Sequence, residues 1–364
     1  MQTQVLPPTP EALAAAAALL REGRLVAFPT ETVYGLGANA LDPDAVRSIF
    51  AAKGRRADNP LIMHVWDAGQ LEGLVTLPPL AETLMARFWP GPLTILMPRT
   101  ARVPDVVTAG LSTVAVRMPS HPVAQALLKA CGLPVAAPSA NRSGKPSPTL
   151  AAHVLQDMDG VIPMIPDGGP CEVGLESTVL DITREGEPMI LRPGGVTQEM
   201  LEAAIGPVTV AGSVLRPLRE GEVARSPGMR YRHYAPEGQI TLVTGTETET
   251  VAALARLCAR ARAGGLRACG MCFEEHAPAL AACDPHVIGS RRDPGSVAGR
   301  LFDTLRRLDD EGIDVIYSEV LPPEGVGLAV MNRLGRAAAF RTVDARDVLR
   351  DSDPADGRDS AAPL

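Results

Sequence analysis

The sequence predicts a two-domain α/β protein, a mixed sheet in the first domain and a regular βαβ-type unit in the second. Three observations carry this. The chain has 364 residues, more than one typical core organises. Strands and helices alternate irregularly up to residue 211, which argues for mixed rather than purely parallel pairing. From Gln239 the alternation becomes regular, after a stretch (212–238) rich in Arg and almost without periodicity.

Residues 11–22 (EALAAAAALLRE) are strong helix formers closed by Gly23. Arg24–Phe28 reads as a strand stopped by Pro29, and a polar Thr/Glu/Tyr loop follows. Asp42-Pro43-Asp44 is a helix start: a cap, a proline in the first turn and an acid at the positive pole. Val46, Ile49 and Phe50 share one face of that helix, which ends at Gly54. Strands are expected at Leu61–Val65, Leu93–Met97, Thr113–Met118, Val135–Ala137, Gly160–Ile165, Ser177–Ile182 and Met189–Leu191. Helices are expected at Leu80–Phe88, from Ser120-Pro122 to about Ala130, and from Thr197. The second unit reads as strand ITLVT, helix Val251–Ala263, strand LRACGMCF, strand HVIG, helix Val297–Asp309, strand DVIYSEV and a closing GLAVMNRLGRAAAF. Domains of 1–211 and 239–345, a linker or flap at 212–238 and a disordered tail at 346–364 follow.

Composition excludes several classes. A net charge of -7 argues against a general nucleic-acid coat, and 3% aromatics leaves little for base stacking. No run reaches the roughly 18 apolar residues that span a bilayer. The start, MQTQVLPPTP, has no basic n-region or apolar h-region, so a cytoplasmic location without membrane contact is expected. Six scattered cysteines suggest no disulfide framework. Cys269 and Cys272 spell CxxC inside an apolar strand, where an offset of three sends the thiols to opposite faces. Both are read as structural.

The chemistry concentrates in Arg24–Val65, about forty residues that hold two strands, a capped helix and a Lys-Gly-Arg exit. Lys53 suits a helix C-terminus. Arg55, Arg56 and Asn59 run past Gly54 and need another reason. Pro138-Ser139-Ala140-Asn141 follows a short apolar strand, where Ser and Asn either bond their own turn or bind a ligand. Ser143-Gly144-Lys145 is not a P-loop, because Ser139 stands where the first glycine would be. The second unit lacks a GxGxxG turn. Glu176 and Ser177 enter one strand, and Arg192 ends another beside Gly194 and Gly195, where a phosphate could sit. His64 alternates with Ile62, so the two share a face.

Together, PTETVYGLG, Lys53-x-Arg55, Asp58–Ile62 (DNPLI), Trp89–Thr94 (WPGPLT), Val114–Pro119 (VAVRMP) and Ser139-x-Asn141 resemble the YrdC/Sua5 family. Ser226–Pro236 (SPGMRYRHYAP) resembles the linker of its long Sua5 type, and the resemblance runs from about residue 10 to 345. It implies a twisted mixed-sheet, YrdC-like catalytic domain with a ligand cleft, plus a smaller Rossmann-like α/β C-terminal domain. It also implies synthesis of L-threonylcarbamoyladenylate and pyrophosphate from L-threonine, bicarbonate or CO2, and ATP. A threonylcarbamoyl transferase then uses the product on adenosine 37 of tRNA. By resemblance, Thr32, His64, Arg117, Ala137 and Ser177 are threonine positions. Arg55, Asn59, Thr113, Ser139, Asn141, Ser147, Arg192 and Tyr234 are ATP positions, Tyr234 with Tyr231 as part of a flap. Lys53 and Arg55 are the implied catalytic cations.

The nucleophile in this chemistry is the substrate's own N-carboxylate, so no Ser/His or Cys/His dyad is required. Positioning and charge neutralisation are. Mg2+ is expected to come with ATP, bridging phosphates through water and substrate oxygens, without a protein-only metal site. Rival readings are a double-stranded RNA or tRNA-binding module without catalysis, and a carbamoyl-transfer maturation protein, which would need zinc and acylphosphatase-like modules.

Overall fold

A computed structural model of the chain describes residues 2–216 and 234–351. Tyr231, the middle of the expected flap and the tail from 352 lie outside the described residues. The first domain is built on an 11-stranded mixed sheet. Its order is Gln4–Leu6, Met164–Pro166, Val26–Phe28, Gly35–Asn39, Val135–Ala136, Ile62–His64, Thr113–Arg117, Leu93–Pro98, Thr178–Asp181, Met189–Arg192, Thr209–Val210. The second domain is a five-stranded, wholly parallel sheet ordered Pro285–Val287, Ala268–Cys272, Val315–Ser318, Gln239–Thr244, Thr342–Asp344. Both sheet types match the expected fold class. Among the described residues no helix is long and apolar enough to cross a membrane.

Period-two alternation divides the central strands into a core face and a cleft face. Met63, Ile95, Val114, Val116, Leu180 and Ile190 enter the main core. Ile62, Leu96, Ala115, Val179 and Leu191 form a small separate cluster on the opposite face. Because His64 and Arg117 alternate with Ile62 and Ala115, the same register carries them to that second face. A polar site can therefore sit on a sheet whose other side is packed by helices.

Local signals set the first motif as expected. Helix Pro43–Lys53 starts at Asp42, whose carboxylate accepts from the Asp44 and Ala45 amides, and ends at Gly54 in the left-handed region, φ 60°. Helix Pro10–Arg21 is capped by Thr9.

Elsewhere the structure corrects the reading. The helix Pro122–Cys131 is capped by His121, not Ser120, because the imidazole accepts from the Val123 amide. The strand expected over Gly160–Ile165 is confined to Met164–Pro166. Gly35–Asn39, placed in a loop by sequence, is a strand paired with Val26–Phe28. Helix Ala151–Met158 was not anticipated. Helix Ala345–Arg350 occupies the start of the expected tail, and its Ala345 and Val348 join the second-domain core. Cys269 and Cys272 are both buried and fall into different apolar clusters, consistent with opposite strand faces.

The two domains share a packed boundary. Val33 and Leu175 of the first are buried within the second domain's core cluster. Arg306 pairs with Asp157 at 2.7 Å, and Gln156 donates to Asp310 at 2.8 Å.

Candidate active site

One cleft gathers most of the residues singled out by sequence. It is lined by Thr30, Thr32, Arg55, His64, Arg117, Ala137, Ser139, Glu176, Ser177, Arg192 and Tyr234, among others. Each reaches it for a local reason. Gly54 reverses the chain, and Arg55 then lies inside, its Nη2 donating to the Asn59 and Pro60 carbonyls at 3.4 and 3.3 Å. A Cβ at Gly54 would meet nothing within 4 Å, so the positive φ, not space, favours glycine there. Arg192 arrives through a bulge. Ile190 faces Leu180 but Arg192 faces Val179, so Leu191 and Arg192 both fall on the cleft side. The following turn lies against Glu176–Thr178 so closely that a Cβ at Gly194 would fall 2.3 Å from the Glu176 carbonyl oxygen.

The charges are arranged in pairs. Arg117 sits 2.8 Å from the Glu31 carboxylate, and its Nη1 donates to Thr32 Oγ1 at 2.8 Å. Its Nε donates to the Gly91 carbonyl at 3.3 Å, which is what the WPGP turn contributes. Burial works to raise the Glu31 pKa, but the Arg117 guanidinium beside it holds it below the usual range. Glu176 follows the same logic. Burial opposes its charge, while Arg333, Arg192 and the Ser147 hydroxyl together keep it ionised. Burial pushes Arg55 and Arg192 down to about 10, which still leaves both charged at neutral pH. His64 is pushed down to about 3 by burial, with Arg117 adding to the effect, so the imidazole is neutral. Its Nδ1 lies 3.2 Å from the Ile62 carbonyl.

Ser177 Oγ lies 2.7 Å from Thr94 Oγ1, and the Ser177 carbonyl accepts from Arg192 Nε and Nη2 at 3.1 and 3.0 Å. Asn59 Oδ1 and Arg55 Nε are buried without a hydrogen-bond partner among the described residues. Both Glu31 carboxylate oxygens and Arg117 Nη2 are likewise buried without a hydrogen bond of good geometry among the described residues, so Arg117 and Glu31 meet as an ion pair.

Five expected site residues do not line the cleft. Lys53 is the main correction. Its ammonium is buried and donates to the Ser139 and Asn141 carbonyls, so it ties the helix end to the Pro138–Asn141 turn. Burial, with the Arg55 charge adding, holds its pKa well below the usual lysine value. Asn141 is occupied inside the same turn, its Oδ1 accepting from Ser139 Oγ at 2.5 Å and its Nδ2 donating to the Arg142 and Lys145 carbonyls. Ser147 donates to Glu176 Oε1 at 2.5 Å. Asn59 stands behind Arg55, and Thr113 begins the strand that ends in Arg117. Tyr234 lines the cleft but is also buried in the second-domain core, its ring 5.2 Å from that of Phe302.

Sequence reasoning missed Glu31, Thr30, Thr94 and Arg333. Arg333 had one signal. Asn332, Arg333 and Arg336 interrupt a helix of small and apolar residues, Gly325–Ala337, and are buried. Among the described residues no group of three His, Cys, Asp or Glu could hold a metal ion; Glu176, which lines the cleft, and Glu31, which pairs with the lining residue Arg117, are both committed to arginines.

Comparison with known proteins shows the family and the fold. Residues 18–194 match the family Sua5_yciO_yrdC, described as telomere recombination, and residues 196–339 match the threonylcarbamoyl-AMP synthase C-terminal domain. The threonylcarbamoyl-AMP synthase of Bacillus subtilis is 49% identical over 333 residues, 91% of this chain and 94% of the relative. The enzyme of the same name from Schizosaccharomyces pombe is 40% identical, covering 92% of this chain and 90% of its own. The crystal structure of P. abyssi Sua5 complexed with L-threonine superposes with a TM-score of 0.86 at 44% identity, over 94% of this chain and 98% of that one. The chain belongs to the Sua5 family of threonylcarbamoyl-AMP synthases.

Proposed function

We propose that this protein joins L-threonine, bicarbonate or CO2, and ATP into threonylcarbamoyl-AMP, releasing pyrophosphate. The observation that carries the reading is the convergence of Arg55, Arg117 and Arg192 with the Thr32, Ser139 and Ser177 hydroxyls in one cleft. Such a set suits several anions bound at once, and the substrate's own N-carboxylate supplies the nucleophile. The threonine amine takes up CO2 as an N-carboxylate. That oxygen attacks the α-phosphorus, the bond to the β-phosphate oxygen breaks, and pyrophosphate departs.

Thr32, His64, Arg117, Ala137 and Ser177 form the threonine end in this reading. A neutral His64 avoids repelling the substrate ammonium. Arg55, Ser139 and Arg192, with Asn59 behind them, form the nucleotide end. There fixed cations stabilise charge developing on the phosphoryl oxygens. Tyr234 forms the wall between nucleotide and second domain and acts there as part of a flap over the nucleotide. Lys53, Asn141, Ser147 and Thr113 act one layer back, holding the residues that touch ligand. Mg2+ enters with ATP as part of the substrate, held by phosphate and water oxygens. The product goes to a threonylcarbamoyl transferase for modification of tRNA adenosine 37.

The test incubates the pure chain with threonine, bicarbonate, ATP and magnesium, and looks for threonylcarbamoyl-AMP by mass spectrometry. R55A should lose a charge-assisted contact of about 1.5–3 kcal/mol, roughly ten- to a hundredfold in rate. Salt-sensitive tRNA binding without threonine-dependent pyrophosphate release would overturn the assignment.

A further inference from the structure

The acidic wall of the cleft is held by the other domain. Arg333, on helix Gly325–Ala337, has no solvent exposure. Its Nε donates to Glu176 Oε2 at 2.8 Å and its Nη2 to the Glu176 carbonyl at 3.2 Å. Its Nη1 donates to the Pro193 carbonyl at 2.7 Å. One guanidinium thus clamps the entry to Ser177 and the turn after Arg192, both of which line the cleft. The second oxygen of Glu176 accepts from Ser147 at 2.5 Å, so the carboxylate is held from both sides. The same guanidinium lies 5.8 Å from the centre of the Tyr234 ring.

A carboxylate is an odd wall for a cleft that receives a triphosphate. Without a matching cation it would repel the ligand and pull on Arg192, the other arginine whose charge it feels. We propose that Arg333 is a positioning residue of the nucleotide end. It neutralises Glu176 and fixes the Arg192–Pro193 turn, so that a polyanion can bind beside that carboxylate. The inference rests on the reading of the cleft given above. It makes the second domain part of the nucleotide site rather than a separate module. The threonine end has its own matched pair, Arg117 with Glu31, within the first domain. The two ends should therefore respond differently to loss of Arg333.

The experiment measures ATP affinity of the full chain by calorimetry, together with KM for ATP and for threonine. R333Q should weaken ATP about tenfold and raise the threonine KM by a clearly smaller factor, about threefold or less, because Ser177 follows the clamped Glu176 carbonyl. R333K keeps the charge and should stay within about threefold of wild type. In E176Q/R333Q the stranded carboxylate is gone, and ATP should bind at least about fivefold more tightly than to R333Q. Folded R333Q with wild-type ATP affinity, an equal rise in both KM values, or a double variant no better than R333Q would each overturn the proposal. If R333Q fails to fold, R333K decides, and an ATP affinity more than about tenfold below wild type sinks the charge argument. A wild-type chain that binds ATP but makes no threonylcarbamoyl-AMP defeats the functional reading and leaves this comparison intact.

Discussion

Replacing Lys53 by methionine separates a brace from a catalytic group. Lysine at this position donates to the Ser139 and Asn141 carbonyls, with Asn141 Oδ1 further off at 3.4 Å. Methionine keeps the aliphatic stem and strands two carbonyls in the interior. Each stranded group costs about 1–3 kcal/mol. Against that, the variant no longer buries an ammonium that burial and the Arg55 charge both disfavour. The net loss should be about 2–4 kcal/mol, and the melting temperature should fall by several degrees. Ser139 lines the cleft, so a loosened turn should raise the ATP KM more than it lowers kcat. Thermal melts and steady-state pyrophosphate release read both effects. K53M that melts like wild type but has lost most of its kcat would refute the brace and return Lys53 to the reacting groups.

Two further outcomes follow from the cleft. His64 ionises at about 3 in the fold against an ordinary 6.5, because burial first and Arg117 second oppose its charge. The unfolded chain takes up that proton on acidification and the folded chain does not, so stability present above pH ~6.5 is lost as pH falls towards ~3. By pH 4.5 the loss should be about 2–3 kcal/mol, and urea midpoints of H64Q should show a flatter acid limb. An unchanged acid limb removes His64 as its source. Gly194→Ala would place a methyl 2.3 Å from both the Glu176 carbonyl oxygen and the Thr178 amide nitrogen. The urea midpoint should drop by the equivalent of about 1–3 kcal/mol or more, since backbone must move. A midpoint equal to wild type would show that the turn is looser than this packing implies.

Elements with chemical punctuation were legible in the sequence. Asp42-Pro43 and Gly54 bound their helix as cap, first turn and left-handed exit, each acting within a few residues. The strand Gly35–Asn39 was not legible, because GLGAN carries no β-branched residue. Its glycines answer to neighbours far away in sequence, since a Cβ on Gly37 would come within 2.9 Å of Phe28 and Val135. Helix Ala151–Met158 lacks a side-chain cap hydrogen bond and follows a run of prolines and serines, so nothing local announces it. The motifs named the cleft residues well but not their layers. Lys53 and Arg55 read alike as cations two apart, and only the path after Gly54 sends one inward to carbonyls and the other to the cleft. Arg333 meets Glu176 across 157 positions of sequence, a pairing that no local pattern encodes.

The charge arrangement constrains how such a cleft can work. A site for a polyanion needs cations, yet buried cations repel one another and lose hydration. Arg55 and Arg192 show that strain, both held down to about 10 by burial. Placing Glu31 and Glu176 among the arginines relieves it and orients the guanidiniums before any ligand arrives. Each such carboxylate must itself be neutralised, or it cancels the attraction it was meant to shape. Glu31 finds Arg117 within the same domain, while Glu176 finds Arg333 only across the domain boundary. The domain boundary, with Val33 and Leu175 packed into the second core and Tyr234 on the cleft wall, therefore shapes the charge balance on that side of the cleft, which is what the Arg333 variants test.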